Sequence, residues 1–520
     1  MPAKWLVSMT VLLGALMAVI DTSIVNVAMP HMAGGLGVGI DEITWVAISY
    51  MVANVIVMPL IYFFSQRFGR RRFYFSAVLV FTLASGLCGM ARTLPEMIAF
   101  RALQGFGGGV LIPTAQAFMM EVFPPGEQGF AMAIFGMAAM AGPAIGPVLG
   151  GWITDNYGWP WIYLINIPIG IATLLLVPMT LPADDPKKRV RARTDFLGIG
   201  LLAVALSCLD LVLERGQRWD WFNSALTYRF GILGVLSLFG FIYWELKAKS
   251  PAVELRVMKN FSFSMGTAMG TVLMVCLYAN NFVIPVWTQE LLGFDATHAG
   301  LAVLPRALIM FLVLPATGRL YNLVDPRITS AVGFVIMAAS GLMLKNLSLD
   351  SGISEVFWPL IVWGLGNAAV WSSLTTLTLS AVNPKDLVQA SGIYNLIRQF
   401  GGSTGYALVS TLSERRTQFH RSVLIEHLSQ FSPIFRERWG TIAHLLPYGA
   451  GSTGMPPSQL LYTLDPYHLQ DMALAAMNAQ LNANAQMMAY ADIFWLFSAL
   501  FLVSAPFFFL LRNPRTKTRP

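Results

Sequence analysis

A carboxylate and a guanidinium stand where lipid-compatible sequence would have neither. The stretch "AVIDTSIVNVAMP" (18–30) sets Asp21 inside an apolar run, and "FRALQGFGGGVLIPTAQAF" (100–118) sets Arg101 inside another, with Gln104 one turn on. A charge near the middle of a bilayer costs a few kcal/mol even on lenient scales, so such residues face a cavity or a partner and mark ion or proton paths. Asp21, Val25 and Ala28 share one helix face at i, i+4 and i+7, with Thr22 and Asn26 alongside. Few acids are available to Arg101 in the first half of the chain, and Asp21 is the plainest. Pairing with an arginine favours an ionised acid, whereas a lone carboxylate in a low dielectric is neutralised by a proton. A conformational change that parts and rejoins the pair would therefore bind and release a proton. Two plainer readings stand beside this one. Asp21 could lie near a helix end, bonded to neighbouring backbone, and the pair could be a static structural contact.

Other motifs carry mechanical rather than acid–base chemistry. In "GPAIGPVLGG", Gly142, Gly146 and Gly150 recur every four residues and give one smooth helix face, with Gly151 next to it. Small-residue spacing of this kind allows close helix approach, and Pro143 and Pro147 each remove a backbone donor and bend a helix. The expectation is a rocking surface between two halves, with tight packing as the plain alternative. In "SQRFGRRRF" (65–73), Gly69 permits a tight turn, and Arg67, Arg70 and Arg71 can pair with acids, cap helix C-termini or simply anchor the loop. Further polar residues interrupt apolar runs: Asp210 and Glu214 one turn apart, Glu290, Arg306, Asn395 and Arg398. Arg306 and Arg398 are candidates to line a central cavity. Asn26, Gln104, Glu290 and Asn395 complete the substrate-contact candidates.

These residues need long apolar elements to position them. The chain has 520 residues, 56% hydrophobic and only 12% charged, against about 25% charged in a soluble domain. Its apolar runs are near the length of about 20 residues that crosses a hydrocarbon core, and they lack the alternation of barrel strands. An all-α membrane protein of fourteen transmembrane helices follows, with spans at 6–29, 43–64, 74–92, 96–120, 128–152, 161–181, 196–214, 229–247, 263–289, 298–318, 329–347, 357–381, 388–412 and 491–512. The first run is too long for a signal-peptide core and has no convincing cleavage site, so it reads as a retained span. Loops on the N-terminal side hold Arg67, Arg70, Arg71, Arg72, Lys187, Lys188, Arg189, Arg191, Arg193 and the basic tail. Short loops opposite hold only Arg92, Arg215, Arg218, Arg229 and Lys345. The positive-inside rule then places both termini in the cytoplasm. The net charge of +7 is topology and not a nucleic-acid patch. The cysteines, Cys88, Cys208 and Cys276, are far apart, and no metal-ligand or catalytic motif is present. The chain reads as a transporter without cofactor or metal, powered by an ion gradient, and not as an enzyme.

"SQRFGRRRF" after the second span and "GRLYNLVDPRI" after the tenth hint at parallel halves, a transporter trait. The organisation expected is 1–181 as one bundle, 182–262 as linkers with two extra helices, 263–512 as a second bundle, and 513–520 as a tail. A long outer loop, 413–490, belongs to the second bundle. Its "DMALAAMNAQLNANAQMMAYADIF" reads as helix, either feeding the last span or forming a docking platform.

Taken together these stretches resemble the major facilitator superfamily, and within it the fourteen-span drug:proton antiporters of the EmrB/QacA type. "IDTSIVNVAMP" is similar to the family's LDTxIVNVAxP, Arg101, Gln104, Gly105 and Gly107 match RxxQGxG, and residues 142–151 match GPxxGPxxGG. "WPWIYLINIPIG" (159–170), "LERGQRWDWF" (213–222) and "PVWTQELLGFDATHAGLAVLP" (285–305) extend the resemblance over nearly the whole chain. One loop departs: in the family pattern G-x-L-A-D-R-x-G-R-R, Tyr62 stands for the first Gly and Gln66 for the acid expected to latch a cytoplasmic gate. The resemblance implies two six-helix bundles rocking about a central cavity, a multi-pass protein of a bacterial inner membrane, and proton-coupled export of hydrophobic or amphiphilic toxic compounds. It implies a periplasmic adaptor and an outer-membrane channel as partners. Asp21 and Arg101 would be the coupling pair. Export of one dedicated, anionic compound such as a fatty acid, siderophore or self-made antibiotic is the alternative, and a non-transporting sensor or scaffold is a second.

Overall fold

A computed structural model describes residues 2–183, 195–248, 251, 253, 255–293, 296–426 and 466–512, and the regular structure among them is entirely helical. Backbone that traverses lipid must satisfy its own hydrogen bonds, which a helix does within one segment. Among the described residues there are fourteen long helices: α1 Pro2–Leu36, α2 Trp45–Phe68, α3 Arg70–Met90, α4 Leu94–Val122, α5 Gln128–Tyr157, α6 Asn166–Thr180, α7 Phe196–Arg215, α8 Ala225–Lys247, α9 Phe261–Val286, α10 Ala296–Leu323, α11 Pro326–Lys345, α12 Ile353–Ser380, α13 Leu387–Glu426 and α14 Pro466–Ser504. Each expected span overlaps one of them. Their ends are marked locally. Gly69 (φ 95°) separates α2 from α3, Thr93 accepts a hydrogen bond from the Glu96 amide at the start of α4, and Asp325 does the same for Arg327 at the start of α11.

Ten of these helices are long and apolar enough to cross a membrane, counted among the described residues. Helices α4 and α13 are not among the ten. The first six helices and the last six meet through α4–α13, α2–α13, α5–α10 and α5–α12.

The packing repeats. Among α1–α6 the contacts are α1–α5, α2–α4, α3–α4, α3–α6, α1–α6 and α1–α4. Among α9–α14 they are α9–α13, α10–α12, α11–α12, α11–α14, α9–α14 and α9–α12, with α13–α14 in addition. Each contact of the first group has its counterpart eight helices on, which is the parallel repeat hinted at by the two loop motifs. The pair α7–α8 stands outside both groups, with α7 against α2 and α13. The groups meet at the end that carries Gly69. There the Cβ of a residue replacing Gly392 would lie 2.5 Å from the Met58 carbonyl oxygen, and one replacing Gly129 would lie 2.6 Å from the Tyr321 ring.

Helix α13 continues to Glu426 and α14 begins at Pro466, so 413–426 and 466–490 are helical extensions of their spans. Arg416 and His420 of the first extension hold Asp492, just past the second, and Arg421 bonds Asn478 at 3.2 Å. The linker 187–193, the loop residues 427–465 and the tail 513–520 lie outside the described residues, as does the side chain of Glu290.

Candidate functional site

Asp21 sits in the middle of the 35-residue α1 and is 0% exposed. Both of its oxygens are taken by side chains of other helices. Arg101 Nη1 of α4 donates to Oδ2 at 2.7 Å. Gln104 Nε2 of α4 and Asn166 Nδ2 of α6 both donate to Oδ1 at 2.9 Å. The reading in which Asp21 lies near a helix end and bonds only local backbone is thereby corrected: α1 runs on to Leu36, and its interior carbonyls and amides are occupied by their own ladder.

A second ring of contacts fixes the first. Arg101, 1% exposed, also donates Nε to the Val46 carbonyl oxygen at 3.2 Å and Nη1 to Gln104 Oε1 at 2.7 Å, and its guanidinium lies 4.3 Å from the Tyr50 ring centre. Ser85 Oγ of α3 accepts from Gln104 (3.2 Å) and Asn166 (3.0 Å) and donates to the Tyr163 carbonyl (2.8 Å). Five elements thus converge on one carboxylate, and the charge pair is sealed from solvent. A buried pair of this kind is costly to break one side at a time. It is also satisfied only while α1, α4 and α6 stay in register. Relative movement of α1 strips Asp21 of donors, and a proton is the simplest replacement.

Gln104 therefore belongs to the acid's hydrogen-bond shell and does not line a cavity in this conformation, a correction to its placement among substrate contacts. Asn166, Ser85 and Tyr50 were not singled out from sequence. A lone Asn in the apolar "LINIPIG" was the available signal for the first; Ser and Tyr occur too often in such helices to stand out.

The glycine motif corrects a second expectation. Its smooth face packs on α1, not between the two groups. A Cβ at position 142 would meet the Val19 carbonyl oxygen at 2.7 Å, one at 146 the Ser23 Cβ at 2.5 Å, and one at 150 the Ile24 carbonyl oxygen at 3.2 Å. Asp21 lies between these contacts in sequence. Helix α5 reaches the other group by its earlier turns, where Gly136 faces the Trp371 ring and Gly129 faces Gly318 and Tyr321. One helix thus touches both the acid's segment and the opposite half.

The remaining candidates separate. Asn395 Nδ2 donates to Gln116 Oε1 at 2.6 Å, across the contact between α13 and α4, so it belongs to the seam and not to a cavity wall. Asn26 is exposed on α1. Arg306 of α10 bonds Asn281 Oδ1 at 2.7 Å, and Arg398 of α13 is buried against Trp371 and Tyr394. In the gate loop, Arg70 forms a two-pronged ion pair with Glu121 (2.6 and 2.9 Å), and Arg71 donates to the Pro178 carbonyl at 3.4 Å. Arg67 is exposed. Asp210 of α7 accepts from Ser403 of α13 at 3.1 Å and ties the extra pair to the second group.

Residues 11–406 match the model of the Major Facilitator Superfamily. The chain belongs to this superfamily. Among curated relatives, it is 34% identical to the fatty acid resistance protein FarB of Neisseria gonorrhoeae, over 98% of this chain and 96% of that protein. It is 31% identical to the multidrug export protein EmrB of Escherichia coli K12, over 96% and 94%. Solved structures agree on the fold. The proton:xylose symporter XylE superposes with a TM-score of 0.62 at 12% identity, covering all of this chain and 99% of that one. The human organic anion transporter MFSD10 superposes at 0.60 and 14%, covering 96% and 100%. This superfamily member is therefore similar to EmrB over nearly all of its length.

Proposed function

We propose that this chain is a proton-coupled antiporter that exports hydrophobic or amphiphilic toxic compounds across a bacterial inner membrane. The observation that carries the reading is the sealed Asp21–Arg101 pair, a charge in an apolar helix whose every donor comes from another helix. The likeness to proteins named for multidrug export and fatty acid resistance supports export as the direction. In this reading the chain crosses the membrane fourteen times with both termini in the cytoplasm. Residues 1–181 and 263–512 form two six-helix bundles, joined through 182–262. Helix α5 moves with the opposite bundle through Gly129 and Gly136, and shifts α1 through Gly142, Gly146 and Gly150. That displacement frees Asp21 to take a proton from outside and give it up inside. The seam at Gly392, Gln116 and Asn395 closes the cytoplasmic side without the acid that Gln66 replaces.

The paired extensions of α13 and α14 stand where a periplasmic adaptor would be met, and an outer-membrane channel would complete the route out of the cell. The test is dye efflux in inverted vesicles that carry the purified chain. Gradient-dependent movement of several unrelated dyes is expected. Movement that ignores the proton gradient would overturn the coupling, and movement of a single dye class would replace multidrug export with a dedicated cargo.

A further inference from the structure

Two arginines of the second helix group have no carboxylate partner among the described residues. Arg398 is 5% exposed, its guanidinium centre lies 4.7 Å from the Trp371 ring and 4.8 Å from the Tyr394 ring, and its one polar contact is with the Met274 sulfur at 3.8 Å. Its Nε is buried with no acceptor. Arg306 is half-buried, 4.9 Å from the Trp363 ring, bonded to Asn281, and its Nη1 is buried with no acceptor. The two tryptophans repeat the pattern: both indole nitrogens are buried and unpartnered. Trp363, Asn367 and Trp371 follow at successive turns of α12, so they form one stripe about 12 Å long at 1.5 Å rise per residue. An arginine lies against each end. Asn280 and Asn367 add unpartnered amide oxygens, but the guanidiniums bring the wall's formal charge.

Unmet buried donors cost free energy, and a protein retains them where a ligand meets them. Stacking on tryptophan holds each guanidinium flat without using its N–H groups, and a planar fork of donors suits a carboxylate. Met274 and Met310 supply the adaptable apolar surface beside it. We propose that the α12 stripe, with Arg306 and Arg398 at its two ends, binds amphiphilic anions: an acidic head group on the arginines and indole N–H groups, a greasy body on the methionines and rings. This rests on the export reading and names the cargo class. The stripe's inner end is closed here, since a Cβ at Gly136 of α5 would lie 2.8 Å from Trp371 Nε1. Arg398 and Trp371 then load when α5 withdraws, and Arg306, beside the exposed Asn281, is the end from which cargo leaves.

The test uses the purified full chain, with 11-(dansylamino)undecanoic acid, its methyl ester and ethidium as probes. Arg306→Gln and Arg398→Gln are each expected to weaken the acid about tenfold, as losing a hydrogen bond to a charged group should. The ester and ethidium should change less than twofold. Dissociation constants are read instead of amplitudes, so a misfolded fraction does not imitate the effect. Should either variant not fold, Trp363→Phe keeps an aromatic ring, though a smaller one, removes the N–H, and is expected to weaken the acid about threefold, a modest hydrogen-bond loss. Equal weakening of acid and ester, or an unchanged acid in any variant, would overturn the site. Gradient-driven export of dyes that persists in such a case leaves the export reading standing. Selective acid binding without export would sink that reading and spare this one.

Discussion

Replacing Asp21 by Asn changes one atom and removes one charge. In the native cluster Oδ2 meets a cationic donor at 2.7 Å while Oδ1 meets two amide donors at 2.9 Å. The asparagine oxygen must stay toward Arg101, which puts its new NH2 toward Asn166. Asn166 has a buried Oδ1 with no partner, so turning its amide over satisfies that contact, whereas Gln104 Nε2 loses this acceptor and keeps only Ser85 Oγ. The larger loss is the charge. Arg101 keeps the Val46 carbonyl, Gln104 Oε1 and the Tyr50 ring, but no anion. Breaking a buried pair from one side costs about 3–5 kcal/mol, and the retained contacts place this variant near the lower figure, about 3 kcal/mol. Arg101→Gln leaves the opposite orphan and should cost as much. The double variant removes both charges and should regain about 2 kcal/mol relative to additivity, within the range for residues in contact. Thermal unfolding of purified protein should rank wild type first, the single variants next and the double variant last, about 4 kcal/mol below wild type where additivity would give about 6. In proteoliposomes, Asp21→Asn should lose uphill, gradient-driven efflux while keeping downhill exchange of substrate, because the alternating movement survives and only its proton is gone. Uphill efflux at the wild-type rate would refute the coupling role. Additive losses in the double variant would refute the electrostatic account of the pair.

Two further outcomes follow from close contacts. Gly146→Leu drives a side chain into Ser23, whose Cβ would be 2.5 Å from the new Cβ. The expected cost is about 1–3 kcal/mol, with transport lost and partly restored by Ser23→Gly, as read by thermal unfolding and dye efflux. Cysteines at 116 and 395, whose native side chains bond at 2.6 Å across the two groups, should crosslink readily. Adding Gly129→Val, which strikes the Tyr321 ring, should slow that crosslinking by holding the seam apart. Equal rates with and without the valine would show that this glycine does not set the closed state.

The sequence by itself determined that the chain is a helical membrane protein of the superfamily, because apolar run length is set by bilayer thickness and motifs such as RxxQGxG are local. It also determined that Asp21 and Arg101 belong together, because few other charges lie deep in the first half and an isolated one is costly. It marked Gly69 as a turn, since a φ of 95° suits glycine. Only the tertiary structure decided what each face meets. Glycine spacing says that something packs closely, not whether the neighbour is α1 or the other half, and the answer was α1. Periodicity could not tell that Gln104 and Asn166 serve the acid while Asn395 serves the seam, because each amide's partner lies far off in sequence, 83, 145 and 279 residues away. Helices α4 and α13 were legible as helices despite their polar residues, but the reason for Gln116 and Asn395 emerged from packing: they meet across the contact between the two halves, where protein, not lipid, surrounds them.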